Sequence, residues 1–299
     1  MWSELTLQLI EAACQEDLGP GDLTSSLLPP SGDPLTARVV SRQPGIICGL
    51  ALGPAVCATF SQRLGCQLAF QPARTGGQPC HDGDRVQPGT TVATVHGPRP
   101  AVLAAERTLL NFLGRMSGVA TLTNQYVTAA RQTNPDVRIL DTRKTIPGWR
   151  ELDKYAVLAG GGDNHRIGLH DAVLIKDNHL AGIPTPQLAA RLTKMLAVHW
   201  PPGRQPSFIE VEVDTLDQFA EVCSVPTVNI ILLDNFSLDD MRTAVHRRDA
   251  RGLRGSLQLE ASGGVTLETI AAIAATGVDR ISVGALTHSA LCLDLGLDS

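Results

Sequence analysis

Six apolar runs in the last two thirds of this 299-residue chain each end in charged residues or glycine. The runs are 137–140, 172–175, 208–213, 229–233, 257–260 and 280–283, and at their ends stand Asp141 to Lys144, Lys176 to His179, Glu212 with Asp214, Asp234 with Asn235, Ser262 to Gly264, and Gly284. In an α/β barrel the carboxyl ends of the strands share one face, which carries the chemistry. The spacing therefore predicts a single polar face.

Glycines at the last two of these ends suit an anion. Ser262, Gly263 and Gly264 lie between a predicted strand and the next predicted helix, and Gly284 does so one unit later. Glycine lets backbone N–H groups approach a phosphate, and a helix N-terminus adds a favourable dipole. A phosphate cradle is the functional interpretation, and tight turns between strand and helix are the structural alternative.

A basic group lies at the earlier ends: Arg143, Lys144, Arg166 and Lys176, with His165 beside Arg166. Lysine is scarce, with four in the chain, and two of the four follow predicted strands. Arginine can bind a carboxylate through two parallel hydrogen bonds, whereas lysine supplies a compact charge. The pattern predicts recognition of anions. The alternative is a structural network with the neighbouring acids Asp141, Asp163 and Asp171.

The acidic pair Glu212 and Asp234 faces the predicted phosphate site. Carboxylates in such a place commonly hold Mg²⁺, directly or through water, or sugar hydroxyls. Solvated strand ends are the alternative. His81 and Asp82 are interpreted as part of a surface turn rather than a metal site. The chain has no Gly-x-x-x-x-Gly-Lys loop, His-Glu-x-x-His helix or Gly-x-Ser-x-Gly elbow.

The composition limits the class of protein that presents these residues. The content of 43% hydrophobic and 18% charged residues is that of a globular protein, and a net charge of −5 argues against a general nucleic-acid binder. The seven cysteines form no Cys-x-x-Cys pair, which predicts small buried thiols. The sequence shows neither a signal peptide nor an apolar run near the ~20 residues that span a bilayer. A soluble, cytoplasmic protein is expected.

The elements that must position the polar face follow from periodicity. Residues 35–100 contain short strand-like runs with turn residues between them, and residues 100–130 have helical spacing, with a break or close packing expected at Gly114 and Gly118. Strands and helices then alternate, with helix starts predicted at Thr185, Thr215 and Ser237. This order favours an N-terminal sandwich followed by a parallel α/β barrel or open α/β sheet.

Long stretches of the chain resemble the quinolinate phosphoribosyltransferase family. They are ERTLLNFLGRMSGVATLT, DTRKTIPGWRELDKYAVLAGGGDNHRIGLHDAVLIKDNH, IEVEVDTL, ILLDNF, LEASGGVTLETI and ISVGALTHSA. The similarity runs from about residue 100 to 290. It implies an N-terminal α/β sandwich domain, residues 1–115 joined by the tail 286–299, and an incomplete, seven-stranded barrel of the TIM-like kind, residues 116–285. It also implies a homodimer, or a higher oligomer, with active sites shared between chains.

The resemblance assigns roles residue by residue. It implies transfer of phosphoribosyl from phosphoribosyl pyrophosphate to quinolinate, with decarboxylation to nicotinate mononucleotide. Arg107 would reach the quinolinate of the partner chain, and Arg143, His165, Arg166 and Lys176 would surround its carboxylates. Lys144, Glu212 and Asp234 would act on the ribose and the Mg²⁺-bound pyrophosphate. The residues of the 5′-phosphate cradle would be Ser262, Gly263, Gly264 and Gly284.

Three other functions are compatible with parts of this pattern. A related phosphoribosyltransferase could take another acceptor, as a nicotinate enzyme or the homologue associated with molybdenum transport would. A phosphate-binding barrel lyase or isomerase would need a Schiff-base lysine or a clear acid–base pair. A non-catalytic binding protein would show the loss of a charged site residue, and none is lost here. The several cations assigned to the acceptor favour a dicarboxylate.

Overall fold

A computed structural model describes residues 2–27, 33–75 and 78–299 of the chain. It contains two compact units. The first comprises Met1–Asn124, Thr145–Gly161 and Leu286–Ser299, and the second comprises Gln125–Lys144 and Gly162–Ala285.

The first unit is built on an antiparallel sheet. Its strands are β1 (Leu35–Ser41), β2 (Gly45–Ile46), β3 (Ala69–Pro72), β4 (Arg74–Thr75), β5 (Gln78–Pro79), β6 (Arg85–Val86), β7 (Thr91–Gly97) and β14 (Leu295–Asp298). Four strands form the main sheet in the order β14-β1-β7-β3, so the last strand of the chain pairs with the first. Helices α1 (Glu4–Leu18) and α2 (Gly53–Leu64) pack together, and α2 also packs on β3. The unit is sandwich-like, as predicted.

One long helix, α3 (Arg99–Arg131), continues through both predicted glycine positions. The helix does not break there. A side chain at Gly118 would collide with the carbonyl of Leu291, and one at Gly114 would lie 2.9 Å from the carbonyl of Leu293. The glycines therefore let the C-terminal segment lie directly against the helix, which is the close packing that the sequence left open. The unit also contains α4 (Arg150–Ala159).

The second unit is a parallel sheet with helices between its strands. The strands are β8 (Arg138–Leu140), β9 (Val173–Ile175), β10 (Ile209–Val213), β11 (Ile230–Asp234), β12 (Gln258–Ser262) and β13 (Arg280–Ser282). The helices are α5 (Asp177–Leu180), α6 (Leu188–Leu196), α7 (Leu216–Val222), α8 (Leu238–Ala250) and α9 (Ile270–Ala274), and α10 (Ala285–His288) follows the last strand. All six strands overlap the predicted runs.

The strand order is β8-β13-β12-β11-β10-β9, as in an incomplete α/β barrel. Six strands form where the resemblance implied seven. The seventh position, beside β8, is held by a single parallel bridge between Leu140 and Asp163. Three glycines in a row, residues 160–162, precede Asp163. Because glycine weakens strand formation, the pairing stops at one residue.

Local sequence signals set several helix starts. Thr215 and Ser237 cap α7 and α8 as predicted, accepting the backbone N–H of Gln218 and Asp240. The prediction at Thr185 was wrong, since a 3-10 turn occupies Thr185–Gln187 and α6 begins at Leu188. Because every strand of the sheet is parallel, all six carboxyl ends lie at one edge. In the part of the chain described, no helix is long and apolar enough to cross a membrane.

Candidate active site

A cavity of about 650 Å³ opens at the carboxyl edge of the parallel sheet. Ten of the twelve residues predicted for the site line it: Arg143, Lys144, His165, Arg166, Lys176, Glu212, Asp234, Ser262, Gly263 and Gly264. Gly284 follows β13 but is not among the lining residues, and Arg107 is exposed on α3 in the other unit. The six strands therefore bring together most of what the sequence predicted.

Arg143 and Lys144 reach the cavity from the loop after β8. The Thr142 hydroxyl accepts the backbone N–H of Lys144 at 3.0 Å and fixes the start of that loop. The Nε atom of Arg143 is buried and has no hydrogen-bond partner among the described residues. A buried guanidinium N–H without an acceptor is costly. Arg143 is therefore suited to an anionic ligand.

Arg166 is a second cation in the same cavity, and its side chain is 8% exposed. Burial lowers the pKa of Arg166, and the nearby charge of Arg143 lowers it further. The loop behind it is held by Asp171, which accepts the backbone N–H of Ile167 at 2.7 Å and of Gly168 at 2.8 Å. Two neighbouring guanidinium groups favour a ligand with more than one negative charge.

Lys176 and Glu212 form an ion pair across the ends of β9 and β10, with 3.0 Å between Nζ and Oε2. Asp234 ends the next strand, β11. The carboxylates thus come from adjacent strands, where Mg²⁺ commonly binds one or two acids together with substrate phosphates. Oxygen donors of this kind fit the predicted ion, and Glu212 and Asp234 are the residues that could hold it.

The Gly263–Gly264 turn follows β12, and both residues have positive φ angles, +97° and +58°. Open space lies over Gly264, where a side chain would meet nothing within 4 Å. The expected helix N-terminus is not at this turn, because α9 begins at Ile270. An anion would therefore meet loop N–H groups rather than a helix end. Gly284, by contrast, is followed at once by α10.

Buried charges form the floor of the cavity. Glu260 accepts from Arg280 at 2.7 Å, and the Nε2 atom of His165 lies 2.9 Å from Glu210 and 3.4 Å from Glu260. Burial, followed by the charge of Glu260, raises the pKa of Glu210. Burial has the same tendency at Glu260, but His165 and Arg280 lower its pKa overall. Glu260 is therefore the more strongly ionised acid of the pair.

His165 lines the cavity but directs Nε2 toward these carboxylates. Burial lowers the pKa of His165, while its contacts with Glu210 and Glu260 outweigh burial and raise the pKa to about 9. Its Nδ1 atom lies 2.8 Å from the backbone nitrogen of Arg166. This contact orients the ring so that Nε2 faces the two acids.

Each acid of the structural alternative has partners within the protein. Asp163 pairs with Arg138 at 2.9 Å, Asp171 binds backbone N–H groups, and Asp141 accepts the backbone N–H of His165 at 2.9 Å.

The surface-turn interpretation of His81 and Asp82 is confirmed, since Asp82 accepts from the Leu50 N–H and the Tyr155 hydroxyl. Four cysteines are buried as expected, Cys14, Cys48, Cys57 and Cys80, whereas Cys292 is exposed.

Sequence reasoning gave no role in the site to six residues that line the cavity: Thr142, Leu174, Leu232, Asn235, Glu260 and Ser282. It also missed Glu210 and Arg280 beneath it. One signal was available. Glu210 stands two positions before Glu212 in the strand Ile209–Val213, and residues two apart in a strand face the same side. A charge inside an apolar strand should therefore have suggested a buried network.

Comparisons with known proteins match both parts of the chain. Residues 22–117 match the family model for the N-terminal domain of quinolinate phosphoribosyl transferase, and residues 119–298 match the model for its C-terminal domain. The chain belongs to the quinolinate phosphoribosyltransferase family. The resemblance stated from sequence motifs alone is thus confirmed over nearly the whole length.

Individual members of the quinolinate phosphoribosyltransferase family are similar over almost the whole chain. The nicotinate-nucleotide pyrophosphorylase [carboxylating] of Mycobacterium leprae is 42% identical, covering 97% of this chain and 95% of its own. The quinolinate phosphoribosyltransferase [decarboxylating] 1b of Nicotiana tabacum is 36% identical, covering 97% and 81%. The solved nicotinate-nucleotide pyrophosphorylase of Francisella tularensis has a TM-score of 0.82 at 34% identity, covering 100% and 97%. The incomplete-barrel fold is therefore shared with this enzyme family.

Proposed function

We propose that this chain transfers the phosphoribosyl group of phosphoribosyl pyrophosphate to the ring nitrogen of quinolinate and yields nicotinate mononucleotide, CO₂ and pyrophosphate. The observation that supports this best is one cavity lined by the cations Arg143, Arg166 and Lys176, by the carboxylates Glu212 and Asp234, and by the Gly263–Gly264 turn. The names of the similar proteins agree with it.

The cationic side of the cavity suits quinolinate, which has two carboxylates on adjacent ring carbons. Arg143 has a buried Nε without an acceptor in the described part of the chain, and Arg166 lies close enough for the two charges to affect one another. Lys176 adds a third cation, and His165 borders the same space. We assign these four residues, with Arg107 from the partner chain, to the acceptor.

The remaining polar residues of the cavity suit the donor. The Ser262–Gly264 turn and Gly284 would hold the 5′-phosphate, and Glu212 and Asp234 would bind the ribose hydroxyls or Mg²⁺. Lys144 would neutralise the pyrophosphate. Mg²⁺, when bound, supplies positive charge that stabilises the leaving pyrophosphate. This division of the cavity places the acceptor and the donor side by side.

The reaction then needs mainly positioning and charge. The pyridine nitrogen attacks the anomeric carbon, and the bond to pyrophosphate breaks with its electron pair on the leaving oxygen. The ring nitrogen becomes cationic, so when the C2 carboxylate departs as CO₂ its electron pair is stabilised on C2, which then takes a proton from water. The fixed cations of the cavity stabilise the charges that develop. No organic cofactor takes part.

A homodimer in the cytoplasm is the assembly and location that we propose, with each site completed by Arg107 of the neighbouring chain. Higher assembly of dimers is compatible with it. The partners are small anionic molecules, and the proposal includes neither nucleic acid nor membrane. The exposed position of Arg107 on α3 supports a role toward another chain.

The decisive experiment incubates purified protein with quinolinate, phosphoribosyl pyrophosphate and Mg²⁺ and measures nicotinate mononucleotide by chromatography. We expect product only when all three are present. Replacing Lys144, Glu212 or Asp234 by alanine should lower kcat about 100-fold. Lys194→Ala, an exposed lysine on α6, is the matched control and should leave turnover unchanged. Product from nicotinate in place of quinolinate would contradict the assigned acceptor.

A further inference from the structure

Asn235 has a backbone conformation that sets it apart. Of the residues described by the structure, it is the one non-glycine residue with a positive φ angle, +55°. Side chains other than glycine are disfavoured in this left-handed region, although asparagine tolerates it better than most. Strained residues of this kind concentrate at functional sites because the surroundings must hold them in place. Asn235 lies directly after β11 and lines the cavity.

In this conformation the Asn235 side chain is hydrogen-bonded to Asp234, a proposed catalytic residue. Its Nδ2 donates a hydrogen bond of 2.8 Å to Oδ2 of Asp234. A carboxylate at a strand end can otherwise rotate about its side-chain bonds. The hydrogen bond fixes the position of Oδ2 of Asp234. Because both oxygens are bonded to the same carbon, it also fixes the direction of the second oxygen. Asn235 thus fixes how Asp234 presents its carboxylate.

The same residue is tied to the glycine turn. Its backbone N–H donates to the carbonyl of Ser262 at 2.9 Å. Its side-chain Oδ1 occupies the place that a β-carbon on Gly263 would take, and its backbone nitrogen lies 3.0 Å from that place. The Gly263 backbone therefore packs directly against the Asn235 carboxamide. This contact, together with a φ of +97°, is why the position needs glycine.

From these contacts we propose that Asn235 is a positioning residue that fixes the separation between the Asp234 carboxylate and the Gly263–Gly264 turn. The inference rests on the proposed function, in which those two features bind opposite ends of the phosphoribosyl group. A ribose 5-phosphate is short, so its hydroxyls and its phosphate can be bound together only within a narrow range of separations. One side chain that contacts both features sets that separation.

Three variants test the proposal. Asn235→Gly relieves the backbone strain and removes the carboxamide. Asn235→Asp keeps the shape and the tolerance for positive φ but places an anion where the donor to Asp234 was. Asn134→Gly is the control, because Asn134 donates to the carbonyls of Ala274 and Val278 away from the cavity. The control should lower the Tm and leave the kinetic constants unchanged.

For Asn235→Gly we expect a Tm at or above that of the unaltered protein, together with kcat/KM for phosphoribosyl pyrophosphate lowered about 10-fold, the loss that one charge-assisted hydrogen bond implies. The KM for quinolinate should stay within about twofold, because the cationic side is untouched. Asn235→Asp should lose more activity than Asn235→Gly, since like charges meet at Asp234. Unchanged donor kinetics in both variants would overturn the proposal.

Calorimetric binding of ribose 5-phosphate gives a readout that needs no turnover. We expect both Asn235 variants to bind it more weakly than the unaltered protein, and Asn134→Gly to bind it equally well. If the unaltered protein makes no product from quinolinate but shows this ranking of affinities, the acceptor assignment fails and the role of Asn235 stands. If both Asn235 variants bind ribose 5-phosphate as tightly as the unaltered protein does, the role of Asn235 is refuted.

Discussion

At the scale of single residues, the proposed acceptor site depends on the guanidinium groups of Arg143 and Arg166. A surface arginine is solvated and interacts weakly with its neighbours. Here the Nε atom of Arg143 is buried without a hydrogen-bond partner among the residues that the structure describes, and Arg166 is only 8% exposed. Burial and then the charge of Arg143 lower the pKa of Arg166, and a dianion lying between the two guanidinium groups would relieve their repulsion.

The planar guanidinium group of Arg143 should contribute to quinolinate binding through its geometry as well as its charge. Arg143→Lys retains the charge but loses the fixed pair of N–H donors, so KM for quinolinate should rise about 10-fold while kcat falls less. Steady-state kinetics with each substrate varied in turn would measure this. Arg242→Lys, in an exposed ion pair with Asp239 on α8, is the control and should change nothing. A rise in KM for phosphoribosyl pyrophosphate, with KM for quinolinate unchanged, would place Arg143 on the donor instead.

At the scale of elements, α4 anchors the start of α1 through one carboxylate. Glu151 accepts the backbone N–H of Ser3 at 3.2 Å and also contacts the hydroxyls of Ser3 and Thr6. Burial alone would raise the pKa of Glu151, but these hydrogen bonds lower it below its ordinary value of 4.5. Hydrogen bonds to a carboxylate favour its charged form, so this contact stabilises the ionised state.

The depressed pKa of Glu151 predicts a pH dependence of stability. A group whose pKa is lower in the folded state stabilises the protein above the unfolded value of 4.5 and loses that contribution as pH falls through the folded value. Glu151→Gln should therefore lower the free energy of unfolding by about 1 kcal/mol at pH 7 and by less in acid. Unfolding of both proteins between pH 7 and 3 would test this.

Glu11→Gln supplies the control for that comparison, because Glu11 lies on α1 itself and pairs with Arg63 at the surface. We expect little change in stability from its replacement. A difference between Glu151→Gln and the unaltered protein that stays constant from pH 7 to 3 would contradict the proposed role of the charge.

At the scale of the whole molecule, the proposed dimer predicts that two inactive variants regain activity when they are mixed. If Arg107 acts in the partner's site, Arg107→Ala and Lys176→Ala chains should each be inactive alone. Mixing them in equal amounts lets half of the dimers become hybrids with one intact site, which restores about a quarter of the activity. Native mass spectrometry would confirm subunit exchange. No recovery after proven exchange would return Arg107 to its own subunit.

The sequence by itself determined where the strands end and which residues stand there. Apolar runs and glycine turns located all six parallel strands, and parallel strands place their carboxyl ends at one edge, so Lys176, Glu212 and Asp234 could be grouped without coordinates. The helix caps at Thr215 and Ser237 could also be predicted from neighbouring residues alone. The helix start predicted at Thr185 was wrong, because a threonine followed by proline suits a 3-10 turn as well as a helix start.

Only the tertiary structure decided which side chains touch. The sheet places β8 beside β13, which is far from it in sequence, and pairs Glu260 with Arg280. The buried group of Glu210, Glu260, Arg280 and His165 follows from that order, as does the contact of Asn235 with Gly263. Periodicity fixes the face on which a residue lies. Its partners depend on strand order, burial and backbone angles, which long-range packing sets.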